Sequence, residues 1–478
     1  MILALAAALR FWRLDEYLTF LGDQGRDALQ VKHILTDRVL PLVGPPTTVG
    51  GLKFSPAYYY LLAVPMALFW LNPVAAAGMV AAIATAGVGL VYYLARCCFG
   101  RGAAVACALV YAVSAIGIVS ARTAWNPNLL PFFALLTACA LFRAHRDSNP
   151  RWYLPAALSL AVALHLHYAA VLALPPAAVA WVRDVRRGAG RRGHPARREF
   201  IRWSAVSVVV FLALILPLLA YLARSNASPD AVTGAPTLDL AQRALADAPG
   251  RALAIYAQIL VGKHLAAEYS VLTVVAAVCL PVPLLWLRRE LPGSHAAWAL
   301  TLLTTWLVAG VFGFAAIPIA LQDHYLAALA PAAYLLFGAF VAWAWRAGPP
   351  GRIGAVSLTA ALILAHVSRS PLLESPDRDL AHADAVARFV QEHAGQRPYH
   401  FLVVSDRSNE ATYAFHLSLY GDEPADASQD LPRQVFVVCE LLECRPMRAA
   451  QAALPSFATA RIDLQGEVQR AHVYRLVR

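Results

Sequence analysis

The sequence predicts a polytopic α-helical membrane protein of about 11 transmembrane helices, followed by a small C-terminal soluble α/β domain. Of its 478 residues, 59% are hydrophobic and only 14% are charged, whereas soluble chains are about 45–50% apolar and about 25% charged. Apolar segments separated by polar turns run to about residue 367, and the composition becomes mixed from about Arg369. This pattern excludes an ordinary soluble enzyme, a disordered chain and a disulfide scaffold.

The spanning helices are predicted from apolar runs, since a helix needs about 20 apolar residues to cross a bilayer. The run 152–182 is divided into two helices with a tip near His165–His167, because both of its flanks are basic. Pro56–Leu71 is apolar but short, and it is interpreted as an interfacial or re-entrant helix. The predicted segments lie at about 1–12, 75–95, 103–121, 128–142, 152–166, 168–182, 204–222, 268–287, 296–316, 325–345 and 353–367.

Arginine positions predict the topology. The net charge of +11 would suit nucleic acid, but the densest basic block lies in a loop between two apolar segments, which favours a cytoplasmic loop instead. Basic loops alternate with sparsely basic ones, so the N-terminus is predicted inside and the C-terminus outside. The loops predicted to face the cytoplasm are 96–102, 143–151, 183–203, 288–295 and 346–352.

Two domains are predicted, 1–368 in the membrane with a first external loop at 13–74, and 369–478 outside it. In the second, strands are expected at Tyr399–Ser405, Gln434–Cys439 and His472–Val477, with a helix at Asn409–Tyr420. If this domain lies in an oxidising compartment, Cys439 and Cys444 are candidates for a disulfide.

Polar residues cluster in the outward loops. Asp23 and Asp27 lie four apart and would share a helical face, with Arg26 between them and Lys53 further on; a helix cap is the alternative role of Asp23. A second loop holds Arg122, Trp125 and Asn126, where a helix-starting turn and a snorkelling arginine are the alternatives. The remaining candidates are His165, His167, His324 and Tyr325.

This combination favours group transfer from an anionic, lipid-linked donor. A carboxylate can take the proton of an acceptor hydroxyl, and cations can hold a phosphate leaving group. Because all four clusters fall on one predicted side, we expect an interfacial enzyme. A transporter would instead place charged residues or broken helices at the midplane.

The order of the motifs resembles the GT-C superfamily of membrane glycosyltransferases, and more closely its family 39, which includes protein mannosyltransferases and RgtA/B/C/D-like and aminoarabinose transferases. The resemblance covers about 1–367. The matching pieces are Gly22-Asp23-Gln24-Gly25-Arg26-Asp27, Pro56-Ala57-Tyr58-Tyr59-Tyr60-Leu61, Leu94-Ala95-Arg96 with Phe99-Gly100-Arg101, His165–Tyr168, and His324-Tyr325 before Pro331.

The resemblance implies that Asp23 is the catalytic base, that the donor is a polyprenyl-phosphate sugar and that the anomeric carbon is inverted. Family members often have Asp-Glu where this chain has Asp23-Gln24, and some have Asp where it has Asn126. A divalent cation held by Asp23 and Asp27 is therefore left open.

The expected function is an inverting glycosyltransferase at the outer face of a bacterial cytoplasmic membrane, acting on a glycan, lipid or protein acceptor. Asp27 is expected to orient the base or to bind metal or acceptor. Arg26, Lys53 and Arg122 are candidates for the donor phosphate, and the remaining loop residues for the sugar pocket. A lipid or polysaccharide transporter or flippase, and a non-catalytic assembly subunit, are the alternatives.

Overall fold

The computed structural model describes residues 1–47, 51–189, 195–224, 258–260, 294–316, 323–421, 423–425, 432–441 and 443–478. Within these ranges the first two-thirds of the chain is helical. Its helices are α1 (Ile2–Phe11), α2 (Leu14–Tyr17), α3 (Gly22–Thr36), α4 (Ala57–Leu68), α5 (Pro73–Phe99), α6 (Arg101–Val113), α7 (Ala115–Ala121), α8 (Leu130–Arg146), α9 (Tyr153–Leu166), α10 (Leu174–Ala189), α11 (Pro195–Arg224), α12 (His295–Ala316), α13 (Asp323–Ala327), α14 (Ala330–Arg346) and α15 (Pro349–Ser368).

Six helical stretches in the described ranges are long and apolar enough to cross a membrane, or seven if α6 and α7, bent by 59°, form one span. The chain is thus a multi-pass membrane protein, but the predicted count of eleven is not confirmed. Helices α1, α9 and α14 form where spans were predicted, with 10, 14 and 17 residues. The predicted segment 268–287 lies outside the described residues.

The apolar run at 152–182 is broken at its predicted tip. Helix α9 ends at Leu166, and His167 takes an extended backbone conformation (φ −158°, ψ 137°). A short 3₁₀ helix, Tyr168–Ala173, then leads into α10. The break exposes the backbone N–H of Ala169, which donates to His167 Nδ1 at 3.1 Å, so the histidine caps the returning segment.

The C-terminal region is an α/β unit. Its helices are α16 (Asp379–Ala394), α17 (Glu410–Tyr420) and α18 (Pro446–Ala453), and its strands are β1 (His400–Val404), β2 (Gln434–Cys439), β3 (Arg461–Val468) and β4 (Ala471–Val477). The sheet order is β1-β2-β4-β3, with β1 parallel to β2 and the other neighbours antiparallel. The three strands and the helix expected here are present, and Cys439 and Cys444 form a disulfide with Cα atoms 5.7 Å apart.

Strand β3 was not predicted. Its sequence is mostly polar and its residues are mainly exposed, so it lacks the apolar alternation that marks a half-buried strand.

A single core joins the C-terminal unit to the first external segment. Buried side chains from α3 and α4, such as Val31 and Tyr58, belong to the same apolar cluster as Val386 of α16 and Tyr413 of α17. Burying apolar surface stabilises such a junction by about 25 cal/mol per Å². The C-terminal unit is therefore packed against the segment that holds the predicted carboxylates.

Candidate active site

Helix α3 presents Asp23 at its first turn without using it as a cap. The N-cap residue is Leu21, and its backbone N–H donates to Oε1 of Gln24 at 3.1 Å. Gln24 therefore satisfies the backbone N–H of the N-cap residue, and Asp23, at the second helical position, is not the N-cap. The Asp23 side chain remains 44% exposed, which leaves a carboxylate open to solvent beside the positive end of the helix dipole.

Arg26 joins the two carboxylates of α3. One of its guanidinium nitrogens, Nη1, lies 2.6 Å from Asp23 Oδ1. Nε and Nη2 lie 2.9 and 2.7 Å from Asp27 Oδ1. The donors of Arg26 are thus directed to carboxylates of its own helix, and a donor phosphate, for which Arg26 was a candidate, would compete with them.

Asp27 differs from Asp23 in its surroundings. Its side chain is 1% exposed, and its Oδ2 has no hydrogen-bond partner among the described residues. Burial raises the pKa of the Asp27 carboxyl to about 7, against the lowering effect of Arg26. Asp27 is thus a buried group that titrates near neutral pH, whereas Asp23 is the carboxylate that a substrate can reach.

Two glycines allow the C-terminal unit to approach α3. A Cβ atom on Gly25 would lie 2.1 Å from the backbone oxygen of Ala411, and one on Gly22 would lie 2.4 Å from Oδ1 of Asn409. Asn409 is the N-cap of α17. The motif Gly22-Asp23-Gln24-Gly25 therefore places the two glycines at the contact with α17 and keeps the exposed Asp23 between them.

Rings from four separate segments meet in a second group, which we call the ring cluster: Phe54, Trp125, His167, Tyr168 and His324. Trp125 and His324 have ring centroids 4.6 Å apart, and His167 lies 6.0 Å from His324. Phe54 contacts both His167 and Tyr168 at 5.1 Å. The structure therefore brings together the first, second and last of the predicted outward loops.

Lys53 lies beside the ring cluster. Its carbonyl accepts from the hydroxyl of Tyr168 at 2.6 Å, and its N–H donates to Tyr221 at 3.0 Å. These bonds fix the backbone while the side chain is exposed. The ammonium group is consequently placed where it can meet a ligand.

Arg122, a predicted candidate for the donor phosphate, is buried against backbone carbonyls. Its guanidinium donates to the carbonyls of Leu9, Trp12 and Arg13 at 3.0, 2.5 and 3.1 Å, and the residue is 1% exposed. These bonds stabilise the chain between α1 and α2, so its side chain does not reach a donor phosphate.

Asn126 and His165 have different positions from those expected. Asn126 is buried and donates to the carbonyl of Leu166 at 2.7 Å, so it ties the second loop to the end of α9 and does not line the pocket. His165 Nε2 lies 3.1 Å from the carbonyl of Leu214 in α11, away from the ring cluster. The Tyr325 side chain lies outside the described part of the structure.

A divalent cation fits these residues poorly. The Oδ1 atoms of Asp23 and Asp27 both accept from Arg26, so a cation bound to these carboxylates would lie close to the positive charge of the guanidinium, which repels it. The described residues hold no group of three or more His, Cys, Asp or Glu side chains with metal-binding geometry. We therefore derive no step through a metal.

Comparisons with known proteins bear on the whole chain. The sequence model described as dolichyl-phosphate-mannose-protein mannosyltransferase matches residues 53–221. The structure of ArnT from Cupriavidus metallidurans bound to undecaprenyl phosphate is similar, with a TM-score of 0.59 and 14% identity over 99% of this chain and 97% of ArnT. The chain has a GT-C fold. The matched residues 53–221 and this fold agree with the resemblance described above.

A second structure agrees with this fold. Archaeal oligosaccharyltransferase AglB from Archaeoglobus fulgidus, in complex with an inhibitory peptide and a dolichol-phosphate, has a TM-score of 0.53 and 11% identity over 99% of this chain and 73% of AglB. No curated protein matches the sequence significantly.

Proposed function

We propose that this protein is an inverting glycosyltransferase that moves a sugar from a polyprenyl-phosphate-linked donor to an acceptor hydroxyl at the outer face of a bacterial cytoplasmic membrane. The observation that carries the proposal is the exposed carboxylate of Asp23 at the start of α3, 2.6 Å from Arg26. ArnT, whose fold is similar, has been solved with undecaprenyl phosphate bound.

The exposed carboxylate acts as the base. Asp23 takes the proton from the acceptor hydroxyl as the acceptor oxygen forms a bond to the anomeric carbon. The bond from that carbon to the phosphate oxygen breaks, and the electron pair leaves with the polyprenyl phosphate. A single displacement inverts the anomeric carbon.

Arg26 and Asp27 position this base. Since Arg26 hydrogen-bonds both carboxylates, it fixes the rotamer of Asp23. The buried Asp27 anchors the other face of the guanidinium, and its role is positioning.

The donor is assigned to the side of the ring cluster. Lys53 is the exposed cation beside it, and its ammonium can neutralise the charge that develops on the leaving phosphate. Trp125 and His324, in ring contact, offer flat apolar faces to a sugar ring.

The experiment uses the full chain in lipid nanodiscs with a panel of polyprenyl-phosphate sugars and a cell-envelope extract as acceptor. We expect release of polyprenyl phosphate from at least one donor, and a glycosidic product with inverted anomeric configuration. Native mass spectrometry should show bound undecaprenyl phosphate without any acceptor. Absence of both lipid binding and release in a folded sample would contradict the proposal, and a retained configuration would exclude the single displacement.

A further inference from the structure

A cavity of about 530 Å³ lies where the C-terminal unit meets the first external segment. Helix α17 lines it with His416 and Tyr420, α16 with Asp384, α2 with Asp15, and the turn between α4 and α5 with Trp70. Its volume is within the range of about 300–1,000 Å³ that is common for small-molecule sites. Neither Asp23 nor the ring cluster lines this cavity, so it is a separate site.

An unusual turn places the side chain of Trp70 at the edge of the cavity. Trp70 is 95% exposed, and both Trp70 and Leu71 adopt left-handed backbone conformations, with φ of 53° and 62°. The turn is fixed by a 2.7 Å hydrogen bond from the N–H of Leu71 to the carbonyl of Met66. Strained non-glycine residues of this kind persist where the surrounding structure enforces them, and they concentrate at functional sites.

The polar lining is rich in hydrogen-bond acceptors. Asp384 is held by Arg388 at 2.9 Å and by the hydroxyl of Tyr420, which leaves further lone pairs on its oxygens. Asp15 and Glu16 add two more carboxylates, and Arg378 also lines the cavity and pairs with Glu16 at 3.4 Å. The three carboxylates outnumber this one cation, which favours a ligand that donates hydrogen bonds over a phosphate or another anion.

His416 supplies a buried polar group without a partner. The residue is 5% exposed, it lines the cavity, and its Nδ1 makes no hydrogen bond with the described residues. Burial lowers the pKa of His416 to about 4, so the ring is neutral at pH 7 and offers one donor and one acceptor. Leaving a buried polar group of this kind unpaired is unfavourable.

We propose that this cavity is a binding subsite for an uncharged, polyhydroxylated acceptor, an oligosaccharide whose sugar ring stacks on Trp70 and whose hydroxyls bond Asp384 and His416. This inference rests on the proposed glycosyl transfer and names the acceptor class as a glycan. An aromatic face beside carboxylates matches a sugar, which has an apolar C–H face and a polar rim.

The same helix connects the subsite to the base. The N-terminal end of α17 contacts α3 at Gly22 and Gly25, and His416 lies six residues further along, roughly 9 Å down the helix axis. An acceptor of a few sugar units bound at Trp70 therefore reaches towards Asp23 with its terminal hydroxyl.

The test measures glycan binding separately from donor binding. The full chain in nanodiscs is offered neutral, amino-sugar and anionic oligosaccharides and a hydroxyl-rich peptide, with binding followed by saturation-transfer NMR. Undecaprenyl phosphate binding is followed in parallel by native mass spectrometry. We expect neutral oligosaccharides to bind, and Trp70→Ala and His416→Ala each to weaken that binding at least tenfold while lipid binding is unchanged.

Phe69→Ala is the matched control, since Phe69 is also exposed (60%) but does not line the cavity. Equal effects of Phe69→Ala and Trp70→Ala would assign the turn to a general apolar contact and overturn the proposal. So would preferential binding of the anionic glycans or of the peptide, or no glycan binding by a wild type that binds the lipid. A wild type that binds glycan but no polyprenyl phosphate would instead count against the proposed donor.

Discussion

The charged end of α3 and the ring cluster are built in opposite ways. In α3, three charged side chains one turn apart are linked by hydrogen bonds of 2.6–2.9 Å. In the ring cluster, side chains from four distant segments touch through their faces and edges at 4.6–6.0 Å. The first arrangement suits movement of a proton, and the second suits holding a ring. Changes in α3 should therefore affect turnover, and changes in the cluster should affect binding.

Removing the guanidinium should have a large effect on turnover. Arg26→Gln leaves Asp27 buried without its charge partner and Asp23 without its orienting bonds, so we expect kcat to fall by about 10²-fold or more. The free energy of unfolding should fall by about 2 kcal/mol, because hydrogen bonds to charged groups are lost. Initial rates and denaturant unfolding measure the two effects.

Arg26→Lys is the matched control for this change. It keeps the charge but not the fork that reaches both carboxylates, so it should recover stability better than turnover. Wild-type kcat in Arg26→Gln would show that the bridge has no part in catalysis.

Substitutions at the contact between α3 and α17 should have the next largest effect on turnover and stability. In Gly25→Ala the new Cβ meets backbone, 2.1 Å from the oxygen of Ala411, so the helices must move apart at a cost of about 1–3 kcal/mol. We expect a lower unfolding midpoint and at least a tenfold lower kcat. In Gly22→Ala the Cβ meets only the end of the Asn409 side chain, which can turn away. Equal effects of the two substitutions would contradict this account.

Substitutions in the ring cluster should change KM rather than kcat. Trp125→Ala removes the ring contact with His324 and is expected to raise the donor KM about 3- to 10-fold, the equivalent of about 0.5–1.5 kcal/mol for an aromatic pair, with kcat nearly unchanged. Trp125→Phe should restore most of the affinity. A fall in kcat without a change in KM would place Trp125 in the chemical step. It would contradict the assignment of turnover to α3 and of binding to the ring cluster.

The raised pKa of Asp27 predicts a modest pH dependence of kcat. With its pKa raised to about 7, Asp27 is mostly neutral below pH 7 and then holds the Arg26 guanidinium, which positions Asp23, less firmly. We expect kcat to rise a few-fold between pH 6 and 8, and this limb to disappear in Asp27→Asn.

The free energy of unfolding, in contrast to kcat, should fall as pH rises. Between about pH 4 and 7 the folded state binds more protons at Asp27 than the unfolded state, so the stability contributed by this group falls as pH rises. Unfolding midpoints of wild type and Asp27→Asn across this range measure it. A midpoint difference that does not change with pH would contradict the assignment.

Local spacing explains which parts of the site could be predicted. Asp23, Arg26 and Asp27 are three and four residues apart, so any helix over this segment brings them together. His167, Trp125 and His324 were expected on one side of the membrane from the loop pattern, but Phe54 was missed. An apolar ring before a helix start gives no signal of its tertiary contacts.

The contacts of Arg122 show the limit of charge as a signal. Arg122 sits at a membrane boundary in a polar turn, as a phosphate ligand would, yet its donors serve three backbone carbonyls. The sequence does not reveal which backbone groups lack partners in the fold. The contact of α17 with α3 was likewise not predicted. The two glycines on either side of Asp23, which allow that contact, were the one sign of it in the sequence.

The most direct test compares Asp23→Asn with Asp27→Asn under saturating donor at pH 8, in nanodiscs, with bound undecaprenyl phosphate and unfolding midpoints as controls. The account predicts a loss of about 10²- to 10⁴-fold in transfer for Asp23→Asn, with lipid binding intact. It predicts a much smaller loss for Asp27→Asn, because that side chain is buried and acts through Arg26. Full transfer by folded Asp23→Asn, or a larger loss in Asp27→Asn, would contradict the assignment of Asp23 as the base.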